Sequence, residues 1–276
     1  MLKYIIILLI ILILIILIEL YKNKITFINK KNIDKILNEK SIKNYIKLNN
    51  KNLFFKRMNS NDYLNYKDNV LNFTKKEKLF LKNKIKLINK KIKKYKKLDN
   101  SWKLIKVRNN LEFGNPFTLS NYIFIPEYII FSNNIEDTLL HEYIHINQRN
   151  NQKRYNDLYP KNLDWYLLDY NIDDSKINNK IVNPDGTNNN WYFNYKNNKI
   201  IPFLIFSNGN YIPKYYIIDN SELIEYKNHN EISNYLKKKY KINNNIYHPN
   251  EIIATILSDK IINNKKIDKK LIHFIN

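Results

Sequence analysis

The chain has 276 residues, enough for one globular domain of ordinary size with appendages, and its 44% apolar content with 22 Tyr and 13 Phe excludes wholesale disorder. With 47 Lys+Arg against 25 Asp+Glu the formal charge is +22, but the excess is almost all Lys in an Ile- and Asn-heavy chain with one Ala and three Gly. That is the mark of AT-rich codons, so the charge alone does not name an anionic partner. There is no Cys, which excludes disulfides, thiol nucleophiles and thiolate metal sites and leaves only His, Asp and Glu to hold a metal.

Ile5 to Ile18 is an unbroken run of Ile and Leu flanked by Tyr4 and Tyr21. Its length approaches the roughly 20 residues that cross a bilayer. The following Glu19-Leu20-Tyr21-Lys22-Asn23-Lys24 lacks the small residues of a signal-peptide cleavage site. Residues 1–21 are therefore expected to be an uncleaved transmembrane anchor of a single-pass membrane protein. Lys22, Lys24, Lys30 and Lys31 outnumber Lys3, which favours a cytoplasmic C-terminal body.

Residues 22–100 are rich in Lys and Asn and are expected to form a basic helical stalk. Thr74 and Glu77 fit a capping box, and Leu81, Ile85, Ile88, Ile92 and Tyr95 then trace one apolar stripe. Twelve lysines lie between Lys75 and Lys97. A solvated helix face explains them most simply, and contact of residues 74–98 with anionic lipid is the functional alternative. No stacking aromatics interleave with the lysines and no base-reading motif is present, so specific nucleic-acid recognition is not expected.

From Trp102 the texture changes, and residues 101–276 are expected to be a catalytic domain of α+β class. Trp102–Val107, Leu111–Phe113 and Tyr122–Ile130 read as a small sheet turning at Gly114-Asn115-Pro116, with Tyr122–Ile130 a candidate edge strand for peptide docking. Helices are predicted over 135–148, with Ser132 or Asn133 as N-cap, and over 155–169. Hairpin strands follow over 191–218 with a turn at Asn208-Gly209, then helices near 230–240 and 249–262, the last opened by Pro249.

Within the helix at 135–148 the chain reads His141-Glu142-Tyr143-Ile144-His145. Residues four apart share a helix face, so both imidazoles can reach one Zn²⁺, and Glu142 beside the first is placed to take a proton from water and deliver it to a leaving nitrogen. A catalytic zinc needs a third protein ligand. Asp185, His229, His248, Glu251 and Asp259 are the candidates. Glu251 is preferred because it opens a helix and because Ala254, the only alanine, lies one turn on, where a small residue would let that helix pack on the His141/His145 helix. Asn183-Pro184-Asp185-Gly186 reads as a turn, with Asp185 at the cleft rim or behind an imidazole as its functional alternative.

His141-Glu142-x-x-His145 with the later Asn250-Glu251-x-x-Ala254 resembles the gluzincin metallopeptidases. The resemblance implies a zincin-like catalytic domain, with a small sheet ahead of the motif helix, that hydrolyses a peptide or protein substrate. It implies zinc on His141, His145 and Glu251, Glu142 as general base, and an oxyanion-stabilising Tyr or His for which His229, Tyr247 and His248 are candidates. Ile146-Asn147-Gln148-Arg149 lacks the Gly and third His of the metzincins. The AT-biased, membrane-anchored character is similar to that of proteins of large DNA viruses. Two rival functions remain: a non-enzymatic membrane protein with a structural or vestigial metal and a basic docking helix, and hydrolysis of a non-peptide amide or ester.

Overall fold

The computed structural model describes residues 4–11, 25–51, 65–98, 101–175, 177–185, 190–207 and 210–276, which form a mixed α+β fold with two sheets. The first contains β1 (Ile25–Phe27), β2 (Val70–Leu71), β3 (Trp102–Val107), β4 (Phe117–Leu119) and β5 (Tyr122–Pro126) in the order β1-β3-β5-β4, with β2 also on β3. β1, β3 and β5 run parallel, while β4 is antiparallel to β5. β3 and β5 are near-continuous apolar runs because both sheet faces are covered. Trp102, Leu104, Ile123 and Ile125 meet helices α3 (Lys75–Ile92) and α4 (Ile135–Asn150). The alternating residues Ile105, Val107 and Phe124 meet Ile33, Ile36, Ile42 and Tyr45 of α1 (Ile33–Leu37) and α2 (Lys40–Lys51).

This arrangement corrects the expected stalk. β1 pairs with β3 in register Ile25–Trp102, β2 pairs with it in register Val70–Val107, and the stripe Leu81, Ile85, Ile88, Ile92 is buried in the main core. Residues 25–51 and 65–98 are thus part of the body, not a spacer behind it. The capping box is present as read: Glu77 N–H donates to Thr74 Oγ1 and Thr74 N–H to Glu77 Oε2. The same Glu77 accepts from Lys106 on β3 at 2.8 Å, tying α3 to the sheet.

The expected membrane anchor is also overturned. No helix among the described residues is long and apolar enough to cross a membrane. Residues 4–11 are helical and rise only about 12 Å, against a hydrocarbon core of about 30 Å. Residues 1–3 and 12–24 lie outside the described residues. A single-pass membrane protein with a cytoplasmic body is therefore not supported.

The second sheet is an antiparallel meander, β6 (Trp165–Leu167), β7 (Trp191–Tyr195), β8 (Asn198–Ser207), β9 (Asn210–Asp219) and β10 (Glu222–Glu225), paired in sequence order. Ser207 opposes Asn210, so the β8–β9 hairpin closes where expected, and residues 208–209 lie outside the described set. α5 (Gln152–Leu163) stops before 169 because Asp164 adopts a left-handed conformation (φ 58°) and the chain then enters β6. α6 (His229–Tyr240) and α7 (Pro249–Ile262) follow the meander. α7 packs along α4 within the main core, and Ala254 there is fully buried.

Trp102 locks the sheet to α4. Its ring stacks on Tyr143 at 4.5 Å and its Nε1 donates to Asn89 Oδ1 at 3.0 Å, with no exposure. Trp102→Ala is expected to cost about 3–5 kcal/mol, read as a shift in the urea midpoint.

Candidate metal centre

The N-cap position of α4 is Asn134, not Ser132 or Asn133, and the helix carries Glu136 and Asp137 in its first turn, where its dipole favours carboxylates. Leu139, Leu140, Tyr143 and Ile144 are buried in the core, which orients the helix so that His141 and Glu142 reach a cleft. α7 is opened by His248, whose Nδ1 accepts from Asn250 N–H at 3.1 Å, and by Pro249 at the first helical position. Glu251 therefore leaves a fixed first turn and is buried facing α4.

His141, His145 and Glu251 converge. The two imidazole Nε2 atoms are 3.0 Å apart, and Glu251 Oε2 is 3.3 Å from His141 Nε2 and 3.5 Å from His145 Nε2. One donor atom from each residue lies within 4.8 Å of the other two, so the group can hold a metal ion.

Neighbouring amides dictate which donor atoms face that point. Gln148 Nε2 donates to Asn250 O at 2.8 Å, which makes its Oε1 the acceptor for His145 Nδ1, also at 2.8 Å. His145 therefore donates through Nδ1, which makes Nε2 the ring atom that faces His141 and Glu251. On the other side Asn183 Nδ2 donates to Glu251 Oε1 at 2.8 Å and to the Tyr247 hydroxyl oxygen at 2.6 Å, leaving Oε2 toward the imidazoles. Burial opposes ionisation of Glu251, yet the two imidazoles hold its carboxyl well below the usual range.

The loop carrying Asn183 is tied down by its neighbours. Asp185 Oδ1 accepts from Thr118 N–H at 2.7 Å, while Arg149 donates to Thr118 O, Ser120 O and Pro184 O. These bonds correct the edge-strand expectation. β5 is internal, β4 is the edge, and the outward N–H and C=O of Thr118 are taken by Asp185 and Arg149. Strand addition by a peptide at that position is blocked.

The cleft has a volume of about 510 Å³ and is lined by His141, Glu142, Glu251 and Tyr247, with Glu112, Asp137 and Asp185 on its walls. Glu142 is 5% exposed, and its Oε2 is buried without a hydrogen-bond partner. Burial, with Asp185 and Glu251 nearby, raises its pKa well above the usual carboxylate value. Glu112 enters the wall through a left-handed turn, with φ of 47°, 57° and 79° at Glu112, Phe113 and Gly114. A Cβ on Gly114 would stand 2.6 Å from Asn109 O, so glycine is required there. Tyr45 and Tyr66 hydroxyls anchor Glu112, while burial pushes its carboxyl up to about 7.

Of the other sequence candidates, Tyr247 and Asp185 are at the cleft and the rest are not. His229 accepts from Tyr215 N–H and meets Glu225, His248 caps α7, and Asp259 pairs with Lys265. Burial and the Glu251 and Asp185 carboxylates hold the Tyr247 phenol well above its usual pKa. The contact residues that sequence reasoning missed are Asn183 and Glu112, and Gln148 acquires a definite role. No protein-family model, curated protein or solved structure matches the chain.

Proposed function

We propose that the protein is a zinc-dependent peptide hydrolase whose metal is held by His141, His145 and Glu251. The observation that carries this reading is the donor spacing. Zinc–N and zinc–O bonds of about 2.0–2.2 Å put tetrahedral ligands about 3.3 Å apart, and the three separations are 3.0, 3.3 and 3.5 Å. Two imidazoles and one carboxylate also form a three-ligand set that leaves a fourth position for water or substrate. A structural site would be closed, whereas this one borders a cleft.

A zinc ion held there supplies Lewis-acid polarisation of the scissile carbonyl and makes water more acidic. Glu142 is the general base. Its unpartnered Oε2 takes the proton of the attacking water and returns it to the leaving nitrogen. Gln148 and Asn183 hold His145 and Glu251 in their ligating orientations, and Tyr247, whose hydroxyl bonds to Glu251, would donate to the developing oxyanion by giving up that bond.

Purified protein is expected to contain one zinc per chain and to digest an unfolded protein substrate. Chelation should abolish turnover and added zinc restore it, with the far-ultraviolet circular dichroism unchanged. Absence of stoichiometric metal overturns the reading, and unfolding on chelation favours a structural metal instead. The cleft's charge also bears on substrate. In a chain of net charge +22, its walls carry Glu112, Asp137 and Asp185 and Lys237 as the only lysine among the described lining residues. Peptides bearing Lys or Arg near the scissile bond are expected to show higher kcat/KM than acidic ones, with the difference shrinking as salt is added.

A further inference from the structure

We infer that the protein carries a second binding site, for a phosphate-bearing anion, on the face of α4 opposite the metal ligands. The cleft is lined by positions 137, 138, 141 and 142 of α4, whereas a separate hollow is floored by Tyr143, Ile146, Asn147 and Asn150, about half a helical turn away around the axis. This hollow has a volume of about 500 Å³, within the range of small-molecule sites.

Its chemistry is the inverse of the cleft's. Lys93, Lys96 and Lys97, just past the end of α3, and Lys103 on β3 line it, and no carboxylate does so among the described residues. None of these four ammonium groups makes an ion pair among the described residues. Lysines supplied by codon bias alone would be scattered over both concavities. Instead, among the described residues the cleft is lined by five carboxylates and one lysine, and the hollow by four lysines and no carboxylate.

Four like charges around one concavity repel one another and focus a positive potential into it, a cost that a bound polyanion reverses. Neutral donors complete the set. Ser101, Asn121 and Asn150 line the same hollow with side chains that make no hydrogen bond among the described residues. α5 also starts at its rim, with no side-chain cap at Asn151 and no acidic residue in its first turn. Several negative charges in so small a volume point to phosphate groups, which compact ammonium donors bind well. Nucleic acid fits poorly, because Tyr95 and Tyr143 at this site are buried and offer no face for base stacking.

The test is calorimetric titration of the full chain with inorganic tripolyphosphate, and sedimentation with phosphatidylcholine vesicles with and without phosphatidylinositol bisphosphate. One tripolyphosphate per chain is expected to bind. The K96Q/K103Q variant should weaken it by about tenfold or more, while K35Q/K43Q, with the same change in net charge at exposed positions elsewhere, should not. Any withdrawal of metal by the probe is common to both variants and cancels in the comparison. Equal weakening in both variants, or in neither, overturns the site as non-specific attraction to a basic chain. Binding to phosphoinositide vesicles without binding of tripolyphosphate overturns a soluble ligand. Neither result bears on zinc or on hydrolysis, so this inference and the hydrolase reading fail separately.

Discussion

Glu142→Gln is expected to retain zinc and the melting temperature while lowering peptide hydrolysis by about 10²–10⁴-fold. Glutamine has the shape of the carboxyl group, so α4 and the placement of His141 and His145 should not move. What is lost is the proton acceptor. The native carboxylate is almost fully buried, with an oxygen lacking any partner among the described residues and with Asp185 and Glu251 raising its pKa. Such a group is costly to the resting fold, and the neutral amide relieves the repulsion, so stability should hold or rise slightly. Metal analysis with kcat/KM on a fluorogenic peptide reads both quantities on one preparation. A variant that keeps its zinc and its turnover removes Glu142 from the mechanism. One that loses both shows that Glu142 helps to hold the metal.

The parts of this protein visible in its sequence are those set by local physics. The capping box Thr74/Glu77, the stripe Leu81–Ile92, the i,i+4 histidines and the Pro249 helix start each depend on neighbours in the chain, and each stands where it was read. The spacing of His141 and His145 defines a shared face, but nothing in the sequence brings Glu251 to that face. That convergence arises from packing of α7 on α4, for which Ala254 was the only sequence hint.

What was misread depended on long-range pairing. Ile25–Phe27 and Val70–Leu71 are too short to announce themselves as strands, and only their register with β3 makes residues 25–51 and 65–98 part of the body. Tyr122–Ile130 reads as an edge because Phe117–Leu119, which covers its strand portion Tyr122–Pro126, has just three residues. Asn183 reads only as the first residue of a turn, with the functional alternative placed on Asp185. Its importance comes from a bond to a residue 68 positions away. The apolar run at the N-terminus matches a bilayer span in composition, yet composition does not establish a helix of spanning length, and none is found among the described residues.

Glu251→Ala is expected to abolish stoichiometric zinc, and the two amides behind the ligands should follow in a graded series. Removing the carboxylate leaves two imidazoles, too few to hold zinc against a competing chelator. It also strands Asn183, whose amide donates to Glu251 Oε1. Gln148→Leu and Asn183→Leu keep all three ligands but free one of them to rotate, and each should weaken zinc by about 10–100-fold. The Gln148 change should be the larger of the two. That amide both fixes the His145 tautomer and links α4 to α7 through Asn250 O, so its loss loosens the helix pair as well as the ring. His229→Ala and Asp259→Ala, whose side chains bond elsewhere, should leave affinity unchanged. Competition with a chromogenic chelator ranks all five. If Glu251→Ala binds zinc as tightly as His229→Ala does, the third ligand is a different residue, and Asp185, a further buried carboxylate lining the cleft, becomes the one to test.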